Sequence, residues 1–177
     1  VSLCIIAILL PFITAIAISE GVRMQSLSSV EESADLYLTF DEFGRNAAIP
    51  LKYLDEVKEI FGVKKIVPRI IGRCYLQDKL AVIVGIDKEY LPKSTSCVSG
   101  RIFENASEVV VGHELAENFN LTIGDQLSMR GQNRKLFTVV GFFSSASNIW
   151  SASTLFMSLQ DAGDLFGKQG FATDIQI

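Results

Sequence analysis

Histidine is nearly missing from this sequence: His113 is the only one among 177 residues. A zinc enzyme needs three protein ligands and favours histidine among them, and histidine is the commonest general base. Tryptophan also occurs once, at Trp150, and there are only three cysteines, Cys4, Cys74 and Cys97, with no metal-ligand spacing. No G-x-G-x-x-G or G-x-S-x-G occurs. GDLFGK at 163–168 lacks both the four-residue gap and the Ser or Thr after Lys that a phosphate loop requires, because Gln169 follows the lysine. Basic residues are scattered and the net charge is -4, so the electrostatic footprint of a nucleic-acid binder is lacking. Charge of either sign is missing from residues 1–19, VSLCIIAILLPFITAIAIS.

That last absence is the largest positive signal. At ~1.5 Å per residue, such a run covers roughly the ~30 Å hydrocarbon core of a bilayer. A signal peptide would have a basic start and a shorter apolar stretch, and a buried core helix this apolar on all sides is unusual in a small domain. The run predicts a transmembrane helix over 1–19, clipped at its start, with Pro11 tolerated inside it. Residues 20–33 read as a helical stalk or a serine-rich linker.

The rest, 34–177, alternates strands and short helices and predicts an α+β (mixed α/β) extracytoplasmic domain preceded by that one transmembrane helix. ADLYLTF (34–40) has a strand's alternation, placing Leu36, Leu38 and Phe40 on one face. Asp41, Gly44 and Asn46 mark a loop. Pro50 opens a helix whose apolar stripe is Leu51, Leu54, Val57 and Phe61 and whose stop is Gly62. Two strands meet around Gln77-Asp78, the first made an edge or a bent strand by Pro68. A loop-rich subdomain is expected over about 88–150, containing a buried strand at 108–112, a helix at 113–119 and a strand at 135–143. The segment 144–153 reads as a loop. A helix with Leu159, Ala162 and Phe166 at helical spacing follows, ending at Gly167. FATDIQI (171–177) alternates as a strand and leaves the domain incomplete at that end.

The segment GHELAENFNLTIGD (112–125) poses the one chemical question. On a helix, His113 and Glu117 share a face at the spacing of a zinc motif, with Glu114 in the position of its base. The second histidine is missing, and the plainer reading is a surface helix packing Leu115, Ala116 and Phe119 inward. Asn105 and Asn120 both fit the N-glycosylation pattern; Asn120 equally fits a left-handed helix cap. Asp41-Glu42 and Asp87-Lys88-Glu89 hold carboxylates that read as solvated loop charges. Cys74 and Cys97 are candidates for a disulfide if the domain lies outside the cytosol, or else two separate thiols. Trp150 and Phe103, on the loop segments 144–153 and 88–107, are candidate contact residues, with ordinary core positions as the alternative.

Taken in order, GID (85–87), SGRIF (99–103), EVVVGHELAENFNLTIGDQL (108–127), FTVVGFF (137–143) and SLQDAGDLFG (158–167) resemble the MacB-type periplasmic core domain of ABC transporter permeases. Its relatives include lipoprotein-releasing and FtsX-like permeases. The resemblance implies a membrane-bound, non-catalytic permease subunit with its main domain outside the cytoplasmic membrane. It implies a partner ABC ATPase, a second permease subunit and a hydrophobic or lipoprotein substrate. It implies no catalytic residue, metal or cofactor in the chain itself. The expected role is mechanotransmission: ATPase motion reaches the outer domain through the stalk. The alternative is an FtsX-like regulator that activates a cell-wall hydrolase, and a membrane-anchored metalloenzyme is the remote third reading.

Overall fold

The computed structural model describes residues 2–31, 34–42, 45–76, 79–132, 134–145 and 148–177. The chain divides into two compact units, Val1–Ser33 and Ala34–Ile177.

The first unit is one helix, α1 (Ser2–Glu31), with Pro11 inside it. The helix continues through residues 20–31 without a break. The described apolar side chains of α1, among them Ile6, Leu10, Phe12, Ile13, Ile16 and Ile18, are all exposed. Thr14 turns its hydroxyl back to donate to the Leu10 carbonyl at 2.8 Å, which satisfies it without solvent. The first charges, Glu20 and Arg23, pair with each other one turn apart. Among the described residues no helix is long and apolar enough to cross a membrane. The expected span over 1–19 includes residues outside the described ones.

The second unit begins with the short strands β1 (Tyr37–Leu38), β2 (Phe40–Glu42), β3 (Arg45–Ala47) and β4 (Ile49–Pro50). A 3-10 turn at Leu51–Tyr53 leads into α2 (Leu54–Lys58). The long strands β5 (Val67–Leu76) and β6 (Lys79–Gly85) follow, then β7 (Ser96–Gly100) and β8 (Glu108–Gly112). Next come α3 (His113–Phe119), β9 (Gln126–Arg130), β10 (Arg134–Ser144), α4 (Asn148–Ser153) and β11 (Thr154–Met157). The unit closes with α5 (Leu159–Phe166), β12 (Phe171–Ala172) and β13 (Asp174–Gln176). One nine-stranded sheet runs in the order β1-β13-β5-β6-β11-β8-β10-β7, with β9 also paired to β10. It is mixed: β11 runs parallel to β6 and β10 parallel to β8, while the other ladders are antiparallel.

Alternation along the strands builds the main core. Cys74 and Leu76 on β5, Ala81 and Ile83 on β6, and Val109 and Val111 on β8 point to one side. Leu127 and Met129 on β9, Phe137 and Val139 on β10, and Leu155 and Met157 on β11 join them. β5 and β9 approach each other, so the sheet curls around this cluster. Leu115, Ala116 and Phe119 of α3, with Ala162 and Leu165 of α5, complete it. Residues of opposite parity, Val84, Val110, Val140 and Phe156, form a second cluster with Phe103 and Trp150 on the other face, and Phe143 joins them past a register irregularity in β10. A third, smaller cluster gathers Ile49, Ile66, Ala172 and Ile175 with Leu51, Leu54 and Val57 of the α2 region.

The junction at 112–125 has the expected form. β8 passes at Gly112 into α3, and Asn120 caps α3 in the left-handed region at φ 51°. A Cβ on Gly112 would collide with the Ser151 backbone of α4, so only glycine admits that approach. Gly167 ends α5 with φ 64°, as expected of a glycine stop.

Several expectations need correction. Leu36, Leu38 and Phe40 do not share one strand or a buried face: β1 ends at Leu38, β2 starts at Phe40, and all three side chains are exposed. The strand alternation is real, but β1 is the outermost strand of its sheet. The helix after Pro50 is shorter than its stripe, giving way to turns before Gly62. Pro68 lies near the start of a strand that is central in the sheet. There, β13 pairs residues 67–69 while β6 begins only at Ile70, so the proline occupies a locally open edge. The stretch 88–150 is not a subdomain, because it supplies β7, β8, β9 and β10 to the common sheet. The expected loop at 144–153 contains α4, and β11 follows it. An all-apolar run such as LFM shows no periodicity from which to assign it.

Candidate interaction site

The segment between β6 and β8 was the expected contact region, and its geometry is set by one carboxylate. Glu108, the first residue of β8, is buried at 9% exposure. It receives both Nη1 (2.7 Å) and Nη2 of Arg101. The backbone N–H groups of Glu104 (2.9 Å) and Asn105 (3.1 Å) and Asn105 Nδ2 (3.0 Å) also donate to it. The Arg101 guanidinium is the chief reason the Glu108 carboxyl is held far below the usual carboxylate range; its burial opposes this, and the Glu104 and Asn105 donors add to it. The hub folds 101–108 into a fixed bend. Ser107 follows at φ 61°, held there by donating its N–H to Asp161 Oδ2 at 2.9 Å. Asp161 also accepts from the Ser158 hydroxyl at 2.8 Å, and the Asp161 N–H donates back to that oxygen at 3.0 Å. Ser158 and Asp161 thus cap α5 and pin the bend at once.

A cleft of about 430 Å³ opens between the 88–90 turn, the 103–106 bend and the start of α5. Asp87, Glu89, Glu104 and Asp161 contribute carboxylates to its walls against the single amine of Lys88. The Asp87-Lys88-Glu89 triplet is therefore brought to a concave place, with Lys88 Nζ 3.9 Å from Glu104 across it. The sequence had given no reason to join this triplet to Glu104 or to the α5 cap. The Ser-x-x-Asp spacing at 158–161, a helix-start signature, was the one signal for the cap.

The two expected contact aromatics lie elsewhere in role. Phe103 is buried at 4% exposure in the second core cluster. Trp150, half-buried, stacks on Phe156 with centroids 6.2 Å apart. Both take the core alternative, because the bend and α4 fold them onto the sheet. Of the exposed aromatics among the described residues, Phe61 is the most open, wholly exposed beside Ile60 in the turn after α2.

His113 Nε2 sits 3.3 Å from Glu117 Oε1 on the exposed face of α3. The shared face is as the spacing predicts. Among the described residues no group of three His, Cys, Asp or Glu side chains could hold a metal ion. Asp41 and Glu42 lie on β2, away from the cleft. Asn105 donates its side-chain amide to Glu108, so it acts in the hub. Cys74 and Cys97 are both free thiols, one buried and the other exposed. They lie on β5 and β7, five strand steps apart in the sheet, or ~24 Å measured along it. With Cys74 packed in the main core and Cys97 exposed on β7, the structure takes the alternative of two separate thiols.

The family profile described as "MacB-like periplasmic core domain" matches residues 3–177. No curated protein matches the chain. Similar solved structures include the extracellular domain of the noncanonic ABC-type transporter YknZ from Gram-positive bacteria. That likeness has a TM-score of 0.60 at 17% identity, over 78% of this chain and 79% of the other. The periplasmic region of MacB from Actinobacillus actinomycetemcomitans gives a TM-score of 0.56 at 16% identity, over 78% of this chain and 71% of the other.

Proposed function

The chain belongs to the family of MacB-like periplasmic core domains, and on that premise we propose that it is the extracytoplasmic domain of an ABC-type transporter permease, joined to the membrane by α1. The observation that carries this reading is the extent of the family match, which runs from residue 3 to residue 177 and so takes in α1 as well as the mixed sheet. The exposed apolar side chains of α1 support it, since they are unfavourable in water and suited to lipid. In this reading the first ~19 residues span the cytoplasmic membrane, and 20–31 continue the same helix as a stalk. ATP hydrolysis belongs to a partner ATPase and a second permease subunit completes the pair. The chain itself performs no chemistry. Its work is to carry ATPase motion into the outer domain, where a hydrophobic or lipoprotein substrate is handled.

The experiment is affinity purification of the natural protein from membranes in mild detergent. Recovery of an ABC ATPase in stoichiometric amount, with ATPase activity that depends on the permease, is the expected result. Recovery without any ATPase would overturn the reading. A cell-wall hydrolase held by the outer domain would instead shift it to the FtsX-like regulator.

A further inference from the structure

α1 is joined along the chain to the outer domain at Ala34, and the first strand after that junction is where a displacement of the helix enters the domain through the backbone. That strand is β1, two residues long and outermost in the sheet. Its ladder partner is β13, through Tyr37 opposite Gln176 and Leu38 opposite Ile175. Leu36 and Ile177 extend the pairing by exchanging backbone bonds of 3.1 and 3.0 Å. β13 in turn pairs with β5 over 174–176. Two ladders this short would fray on their own. Side chains reinforce them at one point. Arg69 on β5 makes a two-pronged bridge to Asp174 on β13, Nε to Oδ1 at 2.9 Å and Nη2 to Oδ2 at 2.7 Å. Both side chains are largely buried, at 10% and 14% exposure. The same guanidinium lies 5.7 Å from the centre of the Tyr37 ring on β1, and Gln176 Nε2 donates to the Tyr37 hydroxyl at 3.3 Å. Arg69 thus touches β1, β13 and β5 together.

We propose that Tyr37, Arg69, Asp174 and Gln176 form a clasp that fastens the first strand of the domain to β5, and that this clasp is the joint through which displacement of the stalk is delivered to the sheet. The proposal rests on the permease reading above. A forked, buried guanidinium–carboxylate pair fixes two strands in angle as well as in distance. The Tyr37 ring extends that hold to the third strand. Lysine at position 69 would keep the charge but lose the fork and the flat surface under the ring. β1 could then move without carrying β5 with it.

The test is backbone hydrogen exchange in the natural protein, reconstituted in lipid nanodiscs with its ATPase, with and without a non-hydrolysable ATP analogue. In the wild type, nucleotide should alter exchange both in 34–38 and in β5 and β6. Arg69→Lys should keep the response in 34–38 and cut the response in β5 and β6 about threefold or more. Exchange in β8 and β10 without nucleotide reports that the fold is retained. Tyr37→Leu, at a half-exposed position, makes the same test if Arg69→Lys does not fold. An undiminished β5 and β6 response in the variants overturns the clasp while leaving the permease reading standing. No nucleotide response anywhere in 34–177 of the wild type overturns the coupling function itself.

Discussion

Glu108 shows how one residue can shape a segment that sequence patterns leave undefined. Its five hydrogen bonds come from Arg101, Glu104 and Asn105, and replacing the carboxylate leaves buried donors without an acceptor. Glu108→Gln should destabilise the domain by about 2–4 kcal/mol, read as a lower denaturant midpoint. The pH dependence has a definite sign. The folded Glu108 carboxyl titrates well below its unfolded value, chiefly because of Arg101. Its contribution is therefore complete above the unfolded pKa of about 4.3 and is lost as pH falls below that toward the folded value. Wild type should lose stability more steeply than Glu108→Gln in that acid range, measured by thermal melts at stepped pH. The thiols give a second test at this scale. Burial pushes the Cys74 thiol up to about 11, whereas Cys97 is exposed. In a Cys4→Ser background a maleimide should label Cys97 in the native protein and reach Cys74 only after unfolding.

At the scale of elements, parity decides what a substitution costs. Phe137 is fully buried while its neighbour Leu136 is 59% exposed. Phe137→Ala should cost about 3–5 kcal/mol and Leu136→Ala well under 1 kcal/mol, compared by denaturant unfolding. That KLFTVVGFF forms a strand was legible in its β-branched and aromatic residues, but which of Leu136 and Phe137 faces the core was not, because apolar residues stand at both parities. The junction from β8 through α3 was legible too, because Gly112, the Leu115-Ala116-Phe119 face and Asn120 each have a local physical reason. The packing of α4 on that junction was not. Gly112 leaves no room for a Cβ against the Ser151 backbone, a contact between segments 39 residues apart in sequence. Gly112→Ala should therefore displace α4 and lower the stability by about 1–3 kcal/mol, and the stacked Trp150 offers a fluorescence readout of the shift.

For the whole molecule, the contrast between the two units carries the argument. One is a helix whose described apolar residues are exposed; the other is a domain with its own core clusters. If α1 sits in lipid, the chain should float with phospholipid vesicles in a density-gradient flotation assay. Ile13→Arg, near the middle of the apolar run, should weaken that association by about 2.5–3.5 kcal/mol without changing the melting of the sheet. Retention of the variant on vesicles at wild-type strength would place the membrane contact elsewhere.

The sequence by itself determined the apolar run at the start, the mixed α/β character, the strand–helix–strand junction at 108–127 and the family. Each of these is written in neighbouring residues, through charge, periodicity or the steric needs of glycine and asparagine. Only the tertiary structure decided that Phe103 and Trp150 are core, that Cys74 and Cys97 lie apart, and that Arg69 meets an aspartate 105 residues further along the chain. Those facts depend on the order in which strands enter the sheet. Sequence alternation specifies which side of a strand is apolar, but it carries no information about which strand lies next to it.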